Sequence, residues 1–334
     1  MNSPGLSVVV IGRNEGARLE RCLRSIGAME KPCEVEVIYV DSASMDGSPE
    51  RAAGLGARTI ELPPGGTTAA LGRNAGWRAA TAPFILFLDG DTILHPRFVV
   101  ESLRDFTADT AIVWGHRREI HPEVSAFNRV LDLDWVYPPG ITEFCGGDAL
   151  MRRDALAEVN GFDESLIAGE EPEMCRRMRA KGWTILHVDR PMTGHDLAMT
   201  AWTQYWKRAT RAGYAYAQVS ERFRNSGLPF WEEDARRNRI RALALSAVFA
   251  CGIALSAATF SIWPFALAVL LFAALAFRTA SRIRWKSPSF VTRILYGLHS
   301  HLQQIPIFLG QLQYARDRRA GRTRGLIEYK ETPQ

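Results

Sequence analysis

The sequence predicts an α/β domain with a parallel sheet at its core, followed by a separate helical region, and three observations carry that reading. Short apolar runs at 6–11, 35–40 and 84–88 each end in a polar loop. The intervals after the first two runs suit helices, so strand and helix alternate over the first 115 residues, the pattern of a parallel sheet. Residues 242–277 contain no charged side chain of either sign.

The first strand, Leu6 to Ile11, runs into Gly12-Arg13-Asn14-Glu15-Gly16 and a helix from about Ala17 to Met29. The second, 35–40, leads into Asp41-Ser42-Ala43-Ser44-Met45-Asp46-Gly47-Ser48 and another helix. The third is Phe84-Ile85-Leu86-Phe87-Leu88: five apolar residues, rich in aromatic and branched types and too few for a helix. Three strands therefore deliver polar loops to one sheet edge, where open α/β sheets bind ligands. A dinucleotide fingerprint is excluded because no Gly-x-Gly-x-x-Gly follows the first strand, and no Walker loop is present. Asp89-Gly90-Asp91 places two hard oxygen ligands about a glycine that lets the backbone turn, a pattern suited to Mg²⁺ or Mn²⁺ held against a diphosphate; a solvated turn or helix cap is the alternative. Asp41 suits a base or ribose contact or the capping of its own turn, and Asp46 suits the cap of the next helix.

Charge divides the 334 residues. Residues 1–234 carry 26 Lys+Arg against 33 Asp+Glu, whereas 235–334 carry 15 against 3, so a net +5 covers an acidic front and a basic back. A helix through all 36 charge-free residues would be about 54 Å long, well beyond a ~30 Å hydrocarbon core, so the run is expected to fold back. The break falls at Thr259-Phe260-Ser261-Ile262-Trp263-Pro264, giving hydrophobic helices at about 242–259 and 263–278. Arg236, Arg237, Arg239 and Arg241 precede the first arm, and Arg278, Arg282, Arg284 and Lys286 follow the second, which predicts both outer ends on the cytoplasmic side. Segment 289–315 mixes apolar residues with Arg293, His299, His301 and Gln303, and reads as an amphipathic interfacial helix interrupted near Pro306. The tail with Arg318, Arg319, Arg322 and Arg324 suits anionic lipid or a solvated end. No basic n-region precedes the first strand, so no secretory signal is expected. The five cysteines are scattered, with no Cys-x-x-Cys spacing, so neither a disulfide framework nor a zinc site is expected.

Further along, Pro172 in Gly169-Glu170-Glu171-Pro172-Glu173 suits the first turn of a helix and predicts Glu171 just ahead of it. His195 stands in a loop, as a metal ligand or simply hydrogen-bonded, and Asp148 follows two glycines, as a reader of a sugar hydroxyl or as a turn residue. Trp202, Tyr205, Trp206, Lys207, Arg208 and Arg211 form an aromatic and basic stretch at helical spacing, read as an interfacial packing helix or a cover over the site.

Five blocks carry a resemblance: SVVVIGRNEGARLERCLRSI, VDSASMDGS, LGRNAGWRAATAPFILFLDGDT, FCGGDALMRRDALAEVNGFDESLIAGEEPEMCRRMRAKGW, and His195 beyond them. In this order, over residues 5–215, the chain resembles family-2 glycosyltransferases of the GT-A type. The resemblance implies a Rossmann-like, mostly parallel mixed sheet, a nucleotide-sugar donor (UDP- or GDP-linked), a divalent cation (Mg²⁺ or Mn²⁺), and transfer with inversion. It implies nucleoside contacts at Glu15 and Asp41, donor contacts at Arg13, Arg73, Asp89 and Asp148, and metal ligation by Asp89, Asp91 and His195. The catalytic base falls on Glu171 in preference to Glu170; the family usually has Glu-Asp here, where this chain has Glu-Glu.

Together these readings divide the chain into a catalytic domain, 1–234, with a nucleotide half at 1–115 and an acceptor half at 116–234, and a membrane-associated region, 235–334. The expected function is sugar transfer to a lipid-linked acceptor at the cytoplasmic face of a bacterial inner membrane, in polysaccharide or glycolipid synthesis, with no nucleic-acid partner. A nucleotidyltransferase of similar fold and a non-catalytic nucleotide-sugar or lipid binder are the alternatives.

Overall fold

Leu6–Gly12 (β1) is a continuous apolar run because both of its faces are covered; Leu6, Val8, Val9 and Val10 are fully buried. The structure, a computed structural model, describes residues 4–65 and 68–322. Arg324 of the basic tail therefore lies outside the described residues. After β1 come Ala17–Ala28 (α1), Val35–Asp41 (β2), Ser48–Gly54 (α2), Arg58–Glu61 (β3), Ala69–Ala79 (α3), Phe84–Asp89 (β4) and Thr92–Leu94 (β5). The second half adds Phe98–Ser102 (α4), Thr110–Glu119 (β6), Ala126–Asp132 (α5), Gly140–Ile141 (β7), Ala149–Arg152 (β8), Arg153–Glu158 (α6), Glu170–Ala180 (α7), Thr184–His195 (β9) and Trp202–Phe223 (α8).

One mixed sheet runs through both halves, in the order β3-β2-β1-β4-β8-β6-β9-β5, with β7 paired to β9. Strands β3, β2, β1 and β4 are mutually parallel, β8 runs antiparallel between β4 and β6, and β6 is parallel to β9. The parallel core brings the loops after β1, β2 and β4 to a common edge, as the apolar runs predict. There Asn14, at φ 54°, accepts from the Met45 amide at 2.8 Å, while its own amide donates to Ser44 Oγ. Asp46 accepts from the Gly16 amide and from the amide and hydroxyl of Ser48 at the start of α2. The first two loops are thereby stitched into one rigid rim.

The charge-free run folds back where the sequence predicts. Helix Glu232–Thr259 (α9) ends with Phe260 in the left-handed region at φ 51°, and Trp263–Arg282 (α10) carries Pro264 in its first turn. Both helices exceed the expected spans, 242–259 and 263–278, because their arginine-rich flanks are good helix formers and Glu232, Glu233 and Asp234 complement the α9 dipole. Their apolar stretches have mean hydropathy 2.0 and 1.7 and are only 11% and 17% buried, so they are long and apolar enough to cross a membrane. The expected single interfacial helix is two, Phe290–Leu302 (α11) and Gln304–Arg319 (α12), divided at Gln303 with Pro306 at the third position of the second.

Close helix packing joins this region to the sheet domain. A Cβ on Gly213 of α8 would lie 1.9 Å from the Ile307 carbonyl oxygen, and one on Gly310 of α12 would lie 2.0 Å from that of Thr210. Gly297 of α11 is held as closely against Ala276 of α10. Gly213→Ala is expected to lower the thermal unfolding midpoint of the detergent-purified chain, at a cost of about 1–3 kcal/mol for overpacking. Gly27→Ala, on α1 with nothing within 4 Å of its added carbon, is expected to raise it slightly.

Candidate active site

At the common sheet edge lies a cleft of about 320 Å³. Arg13 and Glu15 reach it from the loop after β1, Asp89 and Asp91 from the end of β4, Glu171 from α7 and His195 from the end of β9. Six of the ten residues the sequence nominates thus meet on one surface. The other four, Asp41, Arg73, Asp148 and Glu170, are buried behind it.

Gly90 explains the spacing of the two aspartates. Its amide donates to the Ile11 carbonyl at 2.8 Å, and a Cβ there would sit 3.2 Å from the same oxygen. Its φ is not positive, so close approach to β1, rather than a tight turn, is what requires glycine. Asp91 Oδ2 then lies 3.1 Å from His195 Nε2, both side chains being buried, and the buried His195 Nδ1, 3.7 Å from Glu119 Oε2, has no hydrogen-bond partner among the described residues. The Trp135 ring meets the imidazole edge-on with centroids 4.7 Å apart. A carboxylate and an imidazole suit Mn²⁺ or Mg²⁺, and 3.1 Å matches the roughly 3 Å edge of an octahedron with bonds of about 2.1 Å. These two residues therefore fit a divalent cation. Asp89 is turned elsewhere, toward Arg73 at 2.9 Å and Arg117 at 3.3 Å, so among the described residues no three His, Cys, Asp or Glu side chains form a ready metal cluster.

Arg73 is the hinge of the electrostatics. Only 3% exposed, its guanidinium lies 2.9 Å from Asp89, 2.7 Å from Glu170 and 3.1 Å from Glu171. Burial alone would push Arg73 toward deprotonation; the surrounding carboxylates reverse that and hold it protonated. Burial likewise opposes ionisation of Asp89, and Arg73 and Arg117 overcome it, keeping that carboxyl below its usual range. Glu171 goes the other way: burial first, then the like charge of Glu170, outweigh Arg73 and raise it to about 7. Gly147 makes room for this cluster, since a Cβ there would lie 2.5 Å from Arg73 Nη2 and 3.0 Å from Asp89 Oδ2.

The residue after Arg73 explains the arginine-asparagine pair. Asn74 Nδ2 donates to the Phe162 carbonyl at 2.7 Å and its Oδ1 accepts from the Phe162 amide at 3.0 Å, pinning α3 to the Gly161-Phe162 turn ahead of α7. Gly161, at φ 66°, is required because a Cβ would meet Asn74 Oδ1 at 2.4 Å.

Other placements differ from expectation. Helix α7 begins at Glu170, so Glu171 is its second residue rather than the residue before it, and Pro172 is its third. Proline is tolerated there because the first amides of a helix have no intrahelical acceptor. Asp41 is occupied by its own loop, accepting from Tyr39 Oη, the Ser44 amide and Ser44 Oγ at 2.6–2.7 Å. Asp148 sits behind Asp89, accepting from its amide at 3.0 Å and from Thr193 Oγ1 at 2.7 Å, with burial raising its carboxyl. Three arginines complete the cleft: Arg117 on β6, whose guanidinium lies 5.0 Å from the Trp135 ring centroid, and Arg208 and Arg211 on α8. No sequence signal marks Arg117 or Trp135, which lie outside every motif; the spacing of Arg208 and Arg211 does mark a common helix face.

Comparison with known proteins identifies the family and the fold. The family described as Glycosyl transferase family 2 matches residues 7–159, and that described as Glycosyl transferase family group 2 matches residues 84–280. Among curated proteins, the cellulose synthase 1 catalytic subunit (UDP-forming) of Komagataeibacter xylinus is 26% identical over 186 residues, 51% of this chain and 25% of that protein. The pre-mycofactocin glycosyltransferase of Mycobacterium tuberculosis is 26% identical over 207 residues, 57% of this chain and 42% of the relative. The chain thus spans less than half of either protein. Among solved structures, the mannosyltransferase PcManGT of Pyrobaculum calidifontis, in complex with GDP-Man and Mn²⁺, superposes with a TM-score of 0.67 at 17% identity, covering 95% of this chain and 88% of that one, and so shares the GT-A fold.

The crowding of Glu171 has a measurable cost. Its folded-state pKa lies above the unfolded value, so its neutral form is favoured at low pH and stability falls as pH rises toward 7. Glu171→Gln is therefore expected to unfold at the wild-type temperature near pH 4.5, but at a higher one at pH 8, by an amount worth about 1–3 kcal/mol. Thermal unfolding of the two proteins at both pH values checks this.

Proposed function

The chain belongs to glycosyl transferase family 2, and from that membership we propose that it moves a sugar, with inversion, from a UDP- or GDP-linked donor to a lipid-linked acceptor at the cytoplasmic face of a bacterial inner membrane. One observation carries the catalytic part: Glu171 and the Asp89, Asp91 and His195 group line the same cleft and are joined through a single buried arginine. That spacing separates a donor side from an acceptor side within one pocket.

On the donor side Asp91 and His195, joined by Asp89 if it turned from Arg73, would hold Mg²⁺ or Mn²⁺. When bound, the cation neutralises the diphosphate and stabilises it as leaving group. Arg13, Arg117, Arg208 and Arg211 add positive charge around the phosphates, and Glu15 lies where a nucleoside is read. Buried Asp148 positions Asp89 by bonding its amide, and Asp41 shapes the loop that presents Ser42 to the cleft. On the acceptor side Glu171 accepts the proton of the attacking hydroxyl, with Glu170 and Arg73 setting its basicity. A carboxylate raised to about 7 is a competent base near neutral pH.

The membrane part rests on helices α9 and α10, long and apolar enough to span and mostly uncovered. We place the boundary between catalytic and membrane-associated regions at 234/235, with arginines on both outer ends of the hairpin favouring the cytoplasmic side. A polyprenyl-phosphate or polyprenyl-diphosphate sugar is the acceptor class such a location favours, consistent with polysaccharide or glycolipid synthesis.

A screen of UDP- and GDP-sugars with the detergent-solubilised full chain is the test. Release of a nucleoside diphosphate that stops with EDTA and returns with Mn²⁺ is expected; release of inorganic diphosphate would instead indicate nucleotidyl transfer. Glu171→Ala is expected to lower kcat by about 10²–10⁴-fold with donor binding retained. Asp91→Ala is expected to abolish the metal response, and unchanged Mn²⁺ dependence would contradict the cation site. Wild-type kcat/KM is expected to rise with pH through an apparent pKa near 7, because the base works deprotonated, and Glu171→Gln to lack that limb.

A further inference from the structure

A second cleft, of about 490 Å³, opens where the C-terminal end of α8, the first turns of α9 and the C-terminal end of α12 meet. Five arginines line it, Arg224, Arg236, Arg239, Arg318 and Arg319, against two carboxylates, Glu221 and Glu232. Arg318 pairs with Glu221, and Arg224 lies 4.0 Å from Glu232. Arg236, Arg239 and Arg319 have no carboxylate at ion-pair distance among the described residues, which leaves three positive charges facing one concave surface. None of these residues belongs to the donor cleft.

Position identifies the occupant. The charge-free run of α9 begins at Ala242, so Arg239 and Arg236 stand about 5 Å and 9 Å before it at 1.5 Å per residue. Polar headgroups occupy roughly 5–8 Å on each side of the hydrocarbon core, so with the hairpin inserted Arg239 stands at headgroup depth and Arg236 at its outer edge, within reach through its long side chain. A soluble anion would have no reason to sit on this line, whereas a lipid phosphate is delivered to it. Arginine forks suit phosphate oxygens through paired N–H donors.

We propose that this cleft binds the phosphate headgroup of an anionic phospholipid, a site separate from that of donor and acceptor. The inference rests on the membrane reading of α9 and α10. Its rigid wall is the α8–α12 contact at Gly213 and Gly310, so the lipid would brace the same helix that carries Arg208 and Arg211.

The test reconstitutes the full chain in nanodiscs of phosphatidylcholine with 0 or 30% phosphatidylglycerol and counts retained lipids by native mass spectrometry. Expected is selective retention of phosphatidylglycerol, weakened about 100- to 200-fold in the triple variant R236Q/R239Q/R319Q, at roughly 1 kcal/mol for each basic residue near an anionic surface. R236K/R239K/R319K, which keeps the charge, is expected to retain most of the binding, and R278Q/R282Q/R284Q at the other end of the hairpin to behave as wild type. Equal retention by the glutamine and wild-type proteins overturns the site. Competition by millimolar inorganic phosphate overturns the lipid assignment. Failure of the wild-type chain to enter phosphatidylcholine nanodiscs overturns the membrane reading and this inference with it, whereas entry without lipid selectivity overturns the inference alone.

Discussion

The buried guanidinium of Arg73 is the constraint on which the rest of the site depends. Three carboxylates, Asp89, Glu170 and Glu171, converge within 3.1 Å of it at the floor of the cleft. Without a cation among them, burial would neutralise them or expel the helix that carries two of them. With it, Asp89 stays ionised and Glu171 remains poised. Arg73 comes from α3, Asp89 from β4 and the glutamates from α7, so one ionic knot ties the first half of the sheet to the second. Asn74, one residue on, fixes the same junction with neutral hydrogen bonds, which explains why arginine and asparagine stand together.

The knot also frames the chemistry. Asp89 and both glutamates share the one guanidinium, so were Asp89 to turn away and help hold a divalent cation, Arg73 would be left to Glu170 and Glu171 alone. The proposed donor and acceptor sides would thereby be coupled through a single side chain. The C-terminal helices reach the site by another route, because α12 is locked to α8 by glycines that allow backbone contact, and α8 carries two of the cleft arginines.

Much of this was legible in the sequence, for physical reasons. Parallel strands covered on both faces are mostly apolar, so β1, β4 and the buried second half of β2 announce themselves, and the loops they deliver follow at once. The helical hairpin is visible because the run 242–277 carries no charge and is too long for one span, so its fold-back at Phe260–Pro264 can be read directly. What stayed hidden depends on tertiary approach. Arg117 and Trp135 lie in segments with no chemical pattern; the β6–β9 pairing sets Arg117 beside this edge, and the turn Leu133–Trp135 lays the Trp135 ring against Arg117 and His195. Asp148 and Asp41 look like ligands in sequence because they are acids at loop positions; the structure shows their oxygens occupied by neighbouring amides and hydroxyls. The start of α7 was misplaced by two residues because proline's steric rule for the preceding residue is weaker than its tolerance in a first turn.

The central claim, that burial and Glu170 raise the carboxyl of Glu171 while Arg73 limits the rise, is most directly tested by a ¹³C NMR titration of glutamate carboxyls, which needs neither donor nor acceptor. In the wild-type chain one glutamate is predicted to titrate near pH 7, to vanish in Glu171→Gln and to move to higher pH in Arg73→Met, where the favourable charge is gone. A spectrum in which every glutamate titrates in the ordinary carboxylate range, or in which the Arg73 substitution leaves that resonance unmoved, would contradict it.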